Sequence, residues 1–278
     1  METNKIYQGD CLELMKQIDD KSINLILCDL PYGTTACKWD EIIPFDKLWE
    51  QYKRIIKDNG AIVLTASQPF TSKLIMTNIQ NFKYCWIWDK KRHSNPLIAK
   101  KQPLNNYEDV VVFYNSQCIY NPQPYKLHTE RQLSNKGIGK NHNSETKGNA
   151  VINNERIKNI NGMGYPRRII VDIPVHNNLS NDKNGLHPTQ KPVALFEYLI
   201  KTYTNKGDLV LDNCIGSGTT AVACIKTNRK FIGIELSPEY CKIANERIQK
   251  ELSQTKLNYG NDGIPPKPKD LGILPNFI

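Results

Sequence analysis

Two short apolar runs, far apart in the chain, each end in an acid that is followed by a tight turn. The first covers residues 23–29 and ends at Asp29, and the second covers residues 209–212 and ends at Asp212. Both have the length of a buried strand, and segments with helical spacing separate the strand-like runs, as in a parallel sheet with helical crossovers. Ligands of such sheets bind at the carboxyl edge of the strands. We therefore expect an α/β fold, with a mostly parallel twisted sheet, helices on both faces, and one site that both turns share.

The predicted elements form two groups on either side of a polar stretch. Strands are predicted over residues 23–29, 61–66, 82–88, 110–114, 208–212 and 231–235, and helices over residues 46–57, 70–79, 192–204, 219–227 and 237–252. We therefore predict one domain in two halves, residues 1–120 and residues 186–254. We also predict an extended peripheral tail over residues 255–278, which contain several Gly and Pro.

The stretch between the two halves, residues 121–185, is rich in Asn, Gly, Lys and Ser. It holds ten Lys or Arg and five acids, so about half of the chain's net charge of +9 lies there. A structureless loop of this length is unusual inside a compact domain. The stretch is therefore either a small recognition subdomain or a segment that becomes ordered on binding, and its charge suits a polyanionic partner.

The bulk composition excludes several classes of protein. The N-terminal residues are polar and unlike a signal peptide, and the longest apolar runs have the length of strands, too short to span a bilayer. The eight cysteines are scattered without a C-x-x-C pair, which argues against a disulfide framework and against a zinc site. We expect a cytoplasmic protein with no membrane segment and no bound metal.

The turn after the second run indicates a nucleotide-like cofactor. Gly216 and Gly218 let the backbone turn tightly and approach a ligand, and Glu235 ends the next strand at a spacing suited to ribose hydroxyls. The segment is neither a Walker P-loop nor a G-x-G-x-x-G turn. A glycine turn alone also occurs as an ordinary surface turn, so the acids Asp212 and Glu235 are what favour the cofactor.

A third motif, His187-Pro-Thr-Gln-Lys-Pro, precedes this unit and leads into a helix. A cation near the start of a helix opposes the helix dipole. Lys191 is therefore either an ordinary solvated lysine or a residue that binds a carboxylate.

The turn after the first run suits chemistry on an amino group attached to a heteroaromatic ring. The lone pair of such an amine is delocalised, so methylating it requires acceptors for its N–H bonds and a surface that holds the ring. The Asp29 carboxylate and the Leu30 main-chain oxygen can be the acceptors, Pro31 stiffens the turn, and Tyr32 offers a π-face. The tetrapeptide alone also matches an ordinary turn at the end of a strand.

Taken in order, Asp29-Leu-Pro-Tyr-Gly, His187-Pro-Thr-Gln-Lys-Pro and Asp212-x-x-x-Gly-Ser-Gly-Thr-Thr closely resemble the motifs of the beta class of DNA amino-methyltransferases. The resemblance covers most of the chain. It implies a Rossmann-like S-adenosylmethionine-dependent methyltransferase fold with an inserted target-recognition region at residues 121–185. The implied activity is transfer of a methyl group from S-adenosylmethionine to an amino group of a base in DNA.

The resemblance also assigns residues. The catalytic turn is formed by Asp29, Leu30, Pro31 and Tyr32. The candidate cofactor-binding residues are Asp10, Asp29, Lys191, Asp212, Gly216, Ser217, Gly218, Thr219, Thr220 and Glu235. Within this set, Asp10 and Glu235 are expected to hold the adenosine. Lys191 and Thr220 are expected near the methionine end, and Asp212 with the two glycines is expected to shape the pocket.

The chain departs from the family pattern at two places. Leu30 replaces a Pro, which costs the turn rigidity but leaves the carbonyl, and Asn213-Cys214 replaces the usual Pro-Phe beside the cofactor. An acid at the first catalytic position usually accompanies N6-adenine in this family, so Asp29 favours adenine, with N4-cytosine as the alternative. RNA or protein-amide methylation is disfavoured by the order of the motifs, and a DNA-binding protein without activity is disfavoured by the intact catalytic turn.

The resemblance makes DNA the expected partner. A base inside a duplex must be extruded before a pocket can reach its amino group. Tyr32, and less strongly Trp39, are candidates to stack on that base, and residues 121–185 are the candidate recognition region. Lys90-Lys91-Arg92-His93 and Lys100-Lys101-Gln102 are further candidates for phosphate contacts, or plain solvated surface. The sequence leaves open a homodimer and a cognate restriction endonuclease, and it does not reveal the target site.

Overall fold

The computed structural model describes residues 1–34, 40–93, 96–124, 164–171, 173, 175 and 190–259. The chain divides into two compact units, one formed by residues 1–121 with 168–278 and the other by residues 122–167. Only residues 122–124 and 164–167 of the second unit are described. The predicted recognition region therefore lies mostly outside the described residues.

Helices and strands alternate along most of the first unit. The strands are β1 (Lys5–Gln8), β2 (Ile23–Asp29), β3 (Ile56–Ala66), β4 (Phe82–Asp89), β5 (Tyr107–Phe113), β6 (Ile169–Ile170), β7 (Leu209–Asp212) and β8 (Lys230–Glu235). The helices are α1 (Cys11–Met15), α2 (Phe45–Ile55), α3 (Phe70–Thr77), α4 (Val193–Tyr203), α5 (Thr219–Lys226) and α6 (Pro238–Tyr259). No helix in the described part of the chain combines the length and the apolar character needed to cross a membrane.

The eight described strands form one sheet in the order β1-β8-β7-β2-β3-β5-β4-β6. Every neighbouring pair is parallel except the two pairs that contain β5. The exception follows from the connection, because no α-helix separates β4 from β5 and a chain without a crossover must return antiparallel. The predicted α/β fold with a mostly parallel sheet is confirmed.

The sheet is covered on both faces, which explains why its central strands read as unbroken apolar runs. Along β2, Leu25 and Leu27 belong to a cluster that contains side chains of α4, α5 and α6. The alternate residues Ile26 and Cys28 belong to a second cluster that contains side chains of α1, α2 and α3. All four are fully buried. The two faces of β2 therefore pack against the two layers of helices.

The boundary between α2 and β3 differs from the sequence prediction. The predicted helix runs to residue 57 and ends at Asn59-Gly60, whereas α2 ends at Ile55 and the chain is extended from Ile56 onward. The pairing of β3 with β2 shifts register just there. A Cβ on Gly60 would lie 2.8 Å from the Ile56 side chain and 2.9 Å from the Asn24 carbonyl oxygen. The glycine thus permits a close approach within the strand and does not end a helix.

The sequence prediction also placed the end of the last helix too early. It ended that helix at residue 252 and assigned residues 255–278 to an extended tail, but α6 continues to Tyr259. The first glycine after Leu252 is Gly260, so no helix breaker interrupts the last turns. The N-terminal boundary is confirmed, because the Ser237 side chain accepts a hydrogen bond from the Tyr240 N–H at 3.4 Å and Pro238 is the first helical residue.

Candidate active site at the carboxyl edge of the sheet

The two predicted turns leave neighbouring strands at the same edge. β2 and β7 are parallel, with Leu25 opposite Val210 and Ile26 opposite Leu211. β8 lies on the other side of β7, followed by β1, so four acids that follow or end these strands lie along one edge. They are Asp29, Asp212, Glu235 and Asp10. The sheet therefore brings together segments that are far apart in the sequence.

The Asp29 carboxylate is held by three donors. Its Oδ1 accepts hydrogen bonds from the Tyr32 hydroxyl at 2.9 Å and from the Thr65 hydroxyl, and its Oδ2 accepts one from Lys191 Nζ at 2.7 Å. Thr65 is fully buried and lies opposite Asp29 on β3. The Asp29 side chain is 29% exposed, so an oriented carboxylate with spare acceptor capacity faces outward from the edge.

Lys191 lies between two carboxylates. Besides Asp29, its Nζ contacts Glu108 Oε2 at 3.2 Å, and Glu108 Oε1 contacts Lys90 at 3.1 Å. The Lys191 side chain is only 8% exposed. Burial alone would lower the pKa of this amine, but attraction from the Asp29 and Glu108 carboxylates outweighs burial and raises the pKa well above its usual value. Lys191 is therefore a buried cation at neutral pH.

Glu108 has acceptor capacity that the protein leaves unused. Its Oε2 is buried and pairs with Lys191 electrostatically, but the geometry is not that of a hydrogen bond, and no other donor reaches that atom in the described part of the chain. A buried acceptor without a hydrogen bond costs free energy. The Glu108 carboxylate therefore acts on Lys191 mainly through its negative charge.

Tyr32 forms a fixed wall beside this carboxylate. Its ring stacks on Phe70 with centroids 5.0 Å apart and an interplanar angle of 27°, and Lys191 Nζ lies 5.7 Å from its centroid. Burial and the negative charge of Asp29 raise the pKa of the Tyr32 phenol well above its usual value. The phenol is therefore neutral at physiological pH and serves as a donor to Asp29, a role that the sequence did not predict.

The departure at Leu30 has a structural explanation. Its side chain is 4% exposed and belongs to the apolar cluster of α1, α2 and α3, where a leucine fills volume that a proline would leave. Rigidity comes from another part of the turn, because the backbone N–H groups of Gly33 and Thr34 each donate to the Asp40 carboxylate at 2.8 Å. Asp40 thus holds the chain that follows Tyr32.

The glycine turn after β7 leaves space for a ligand. Gly216 has φ +51° with nothing within 4 Å of the position of a Cβ, and its N–H donates to Glu235 Oε2 at 2.9 Å. Gly218 has φ +86° and packs tightly, because a Cβ there would lie 2.9 Å from the Ala244 Cβ. Ser217 is held by Arg247, whose guanidinium donates to the serine hydroxyl at 2.9 Å. The turn is therefore fixed on one side and open beside Gly216.

Asp212 and Thr220 lie beneath this turn and do not face the solvent. Asp212 is 3% exposed and Thr220 is 1% exposed. The Asp212 carboxylate accepts hydrogen bonds from the Cys214 N–H at 3.1 Å and from the Thr220 hydroxyl. Burial raises the pKa of Asp212 to about 7, although these hydrogen bonds oppose the shift. Both side chains thus shape the turn from within, and the neighbouring Thr219 is also buried.

The second departure from the family pattern, Asn213-Cys214, is part of a buried polar network. The Asn213 side chain accepts a hydrogen bond from the Tyr52 hydroxyl at 2.5 Å and donates to Cys11 Sγ at 3.7 Å and Cys214 Sγ at 3.5 Å. Asn213 is 2% exposed and Tyr52 is fully buried. The network ties α2 to the end of β7, which fixes the turn without the Pro-Phe pair.

The two outer acids can accept further hydrogen bonds. Glu235 Oε1 accepts from the Ser237 N–H at 2.8 Å, in addition to the bond from Gly216. Asp10 caps α1 by accepting from the Leu12 N–H at 2.7 Å, and Asp10 is exposed. Each carboxylate has about four acceptor positions. The open space beside Gly216, flanked by a carboxylate with spare acceptors, fits a ligand with ribose-type hydroxyls.

A separate cavity of about 290 Å³ lies at the opposite edge of the sheet. Lys57, Gly60 and Phe113 line it, near the start of β3 and the end of β5. Because the motif residues lie at the carboxyl edge, this cavity is not part of the candidate site.

Comparison with known proteins identifies the family. Residues 23–246, most of the chain, match the family model for N6/N4-type methyltransferases, described as DNA methylase. The chain belongs to the N6/N4 DNA methylase family. The methylase is 26% identical over 264 residues to the type II methyltransferase M1.MboII of Moraxella bovis, covering 88% of this chain and 96% of the relative.

Further relatives agree with this assignment. The methylase is 28% identical over 260 residues to the DNA adenine methyltransferase YhdJ of Escherichia coli strain K12, covering 89% of this chain and 83% of the relative. A crystal structure of the M1.HpyAVI–SAM complex has the same fold, with a TM-score of 0.59, 24% identity, and coverage of 88% of this chain and 98% of that one.

Some predicted site residues of the methylase lie outside the described part of the chain. These are Trp39, His187, Pro188 and Thr189. Of the candidate phosphate-binding residues, Lys90 and Lys91 are paired with Glu108 and Asp89, whereas Arg92 is exposed.

Sequence reasoning missed two residues of the candidate site, Thr65 beside Asp29 and Glu108 beside Lys191. Thr65 is the single polar residue in the apolar stretch 61–66, and Glu108 precedes the apolar run of β5. Each could have been noticed as a polar residue placed near the carboxyl edge. What the sequence did not show is which strands would be neighbours of β2 in the sheet.

Proposed function

We propose that this DNA methylase transfers a methyl group from S-adenosylmethionine to the N6 amino group of adenine in DNA. The observation that carries the proposal is the Asp29 carboxylate, which is oriented by three donors and lies one strand away from the open glycine turn. Family membership and a relative named as a DNA adenine methyltransferase support it.

Asp29 and its turn meet the needs of the amino group. A carboxylate that accepts one N–H bond of the amine shifts electron density toward nitrogen, and the Leu30 carbonyl is the second acceptor. Nitrogen forms a bond to the methyl carbon while the bond from that carbon to sulfur breaks. Asp29 accepts the proton that nitrogen then loses and releases it to solvent. Pro31 and Tyr32 fix the position of the ring, and Tyr32 remains a neutral donor throughout.

The residues of the glycine turn fit S-adenosylmethionine, which when bound supplies an electrophilic methyl group on a sulfonium. Glu235 and Asp10 would accept hydrogen bonds from the hydroxyls of the adenosine, and the space beside Gly216 would receive its ribose. Lys191 would donate to the carboxylate of the methionine end with an N–H that Asp29 does not use. Ser217, Gly218, Thr219, Thr220 and Asp212 keep the turn in shape.

DNA reaches this edge with its target base extruded from the duplex. The basic residues 121–185 are the proposed recognition region, with Lys and Arg on phosphates and Asn and Gln on base edges. A cognate restriction endonuclease is a further proposal, which rests on the type II relatives. A homodimer stays a prediction. We also propose a cytoplasmic location, which the free state of all seven described cysteines supports.

The test is methylation by the purified protein. Unmethylated DNA is incubated with S-adenosylmethionine labelled in its methyl group, digested to nucleosides and separated. We expect label in N6-methyl-2′-deoxyadenosine. Label only in N4-methyl-2′-deoxycytidine would favour the alternative substrate, and no label in DNA would contradict the proposal. Modified-base sequencing of DNA from a methylation-free host that expresses the protein then gives the target site.

Asp29→Ala and Asp19→Ala form a matched pair for the catalytic role. Asp29→Ala removes the acceptor, and we expect a loss of at least about 100-fold in kcat/KM with DNA binding largely retained. Asp19 is an exposed acid far from the carboxyl edge, and its replacement should leave activity unchanged. Full activity of Asp29→Ala would refute the role proposed for this carboxylate.

A further inference from the structure

The loop that joins β4 to β5 carries an almost fully exposed leucine among cations. Leu97 is 90% exposed and lies in the 3-10 turn Pro96–Ile98. Residues 90–106 contain five Lys or Arg and no Asp or Glu. Two of the five are paired with acids of the flanking strands. The other three, Arg92, Lys100 and Lys101, are exposed.

The described part of this loop is held by its own hydrogen bonds. The Lys90 N–H donates to the Asn106 carbonyl at 2.8 Å and closes the base of the loop. Around the leucine, the Ala99 N–H donates to the Pro96 carbonyl at 3.2 Å, and the Lys101 N–H donates to the Ile98 carbonyl at 2.8 Å. The leucine therefore projects from a formed turn near the middle of the loop.

The loop rises from the edge that holds the catalytic carboxylate. β4 is parallel to β2 and β3, so it ends at the same edge, and β5 begins there. Three strand spacings, about 14 Å, separate β4 from β2. The base of the loop is also linked to the site by charge, because Glu108 at the start of β5 contacts Lys191, which donates to Asp29.

A single exposed apolar side chain is common on protein surfaces and by itself indicates nothing. Leu97 differs by its surroundings in the sequence, since three exposed cations precede or follow it within the same loop, beside the candidate active site. Cations suit phosphates, and an apolar tip suits the space between stacked bases, where apolar wedges unstack a step and bend the duplex. This combination fits duplex DNA, and the leucine can fill the position that an extruded base leaves empty.

We propose that Leu97 enters the duplex where the target base leaves it, while Arg92, Lys100 and Lys101 contact the flanking phosphates. The inference rests on the proposed function, because it assumes that the methylase acts on a base taken out of a duplex. Leu97 does not touch the reacting atoms. Its contribution is to stabilise the extruded state, so it matters only when the target base starts out paired and stacked.

Two substrates separate this role from a general loss of activity. Both are duplexes built on the mapped target site, one with the target adenine paired to thymine and one with it opposite an abasic position. The proteins compared are the wild type, Leu97→Ala, Leu97→Met and Met76→Ala. Met76 is 70% exposed near the end of α3, and it controls for the loss of an exposed apolar side chain elsewhere.

We expect Leu97→Ala to lower kcat/KM on the paired duplex about tenfold or more and to stay within about twofold of wild type on the abasic duplex. Leu97→Met and Met76→Ala should match the wild type on both. With 2-aminopurine at the target position, the fluorescence increase on binding should be smaller for Leu97→Ala than for wild type.

Three results would overturn the inference in different ways. An equal loss by Leu97→Ala on both duplexes would show that the leucine does not act through extrusion. No loss on the paired duplex would show that it does not contact the duplex at that step. If the wild type methylates neither duplex, the proposed function itself fails, and the inference fails with it.

Discussion

Asp212 should make the methylase less stable as the pH rises toward neutrality, and Asp212→Asn should remove this dependence. The pKa of the buried carboxyl is about 7 in the folded protein, against an ordinary value of 3.8. Because folding raises the pKa, the folded state prefers the protonated acid. The stabilising contribution is complete below pH 3.8 and is lost as the pH rises to 7, beyond which it no longer changes.

The magnitude follows from the size of the shift. One pKa unit corresponds to about 1.4 kcal/mol, so the whole span amounts to about 4 kcal/mol, of which about 3 kcal/mol falls between pH 5 and pH 8. Asparagine has nearly the same shape and does not titrate. Its side-chain oxygen can still accept from the Cys214 N–H, and its amide can donate to the Thr220 hydroxyl, which reverses that hydrogen bond.

The assay is urea unfolding followed by tryptophan fluorescence at several pH values between 5 and 8 and at constant ionic strength. The free energy of unfolding of Asp212→Asn relative to wild type should rise by about 3 kcal/mol over that range. The exposed acid Asp19 is the control, and Asp19→Asn should follow the wild type. A difference between Asp212→Asn and wild type that does not change with pH would refute the reasoning.

Two further predictions concern the glycine turn and the Asp29 carboxylate. Gly218→Ala combines a left-handed backbone with a Cβ 2.9 Å from that of Ala244, whereas Gly207→Ala has a similar φ of +85° and open space. We expect Gly218→Ala to lower the free energy of unfolding by about 3 kcal/mol and Gly207→Ala to lower it by about 1 kcal/mol. Equal losses would show that packing against α6 does not matter. Thr65→Val removes a hydroxyl from Asp29 and should lower kcat/KM about tenfold. Thr202→Val, also fully buried but bonded within α4, should change kcat/KM little, and an equal effect of both would assign Thr65 a structural role only.

Much of the fold was predictable from local patterns. The buried strand β2 reads as an unbroken apolar run because helices cover both of its faces, and Ser237-Pro238 marks the start of α6 because both residues suit a helix N-terminus. The short elements β1 and α1 were not predicted, since four and five residues carry too little periodicity. The extended start of β3 was missed because Asn59-Gly60 is also a typical helix end.

The candidate site was predictable in outline and not in its contacts. Asp29 and Asp212 could be placed at one edge because both end strands of a parallel sheet. The partners of Asp29 could not, because Thr65 and Glu108 reach it or its lysine only through the strand order β2-β3-β5. No local pattern states that order. For the same reason, the sequence showed Lys191 as a cation at a helix start and did not show the acids that surround it.

The adjacency of β2 and β7 has a consequence for how this architecture can be encoded. The two turns meet because their strands are neighbours in space, although many residues separate the two strands along the sequence. A circularly permuted chain that begins with α4 and β7 and then continues into β1 and β2 would bring the same two turns together. The order of the two turns along the sequence is therefore free to vary, provided that β2 and β7 still pair.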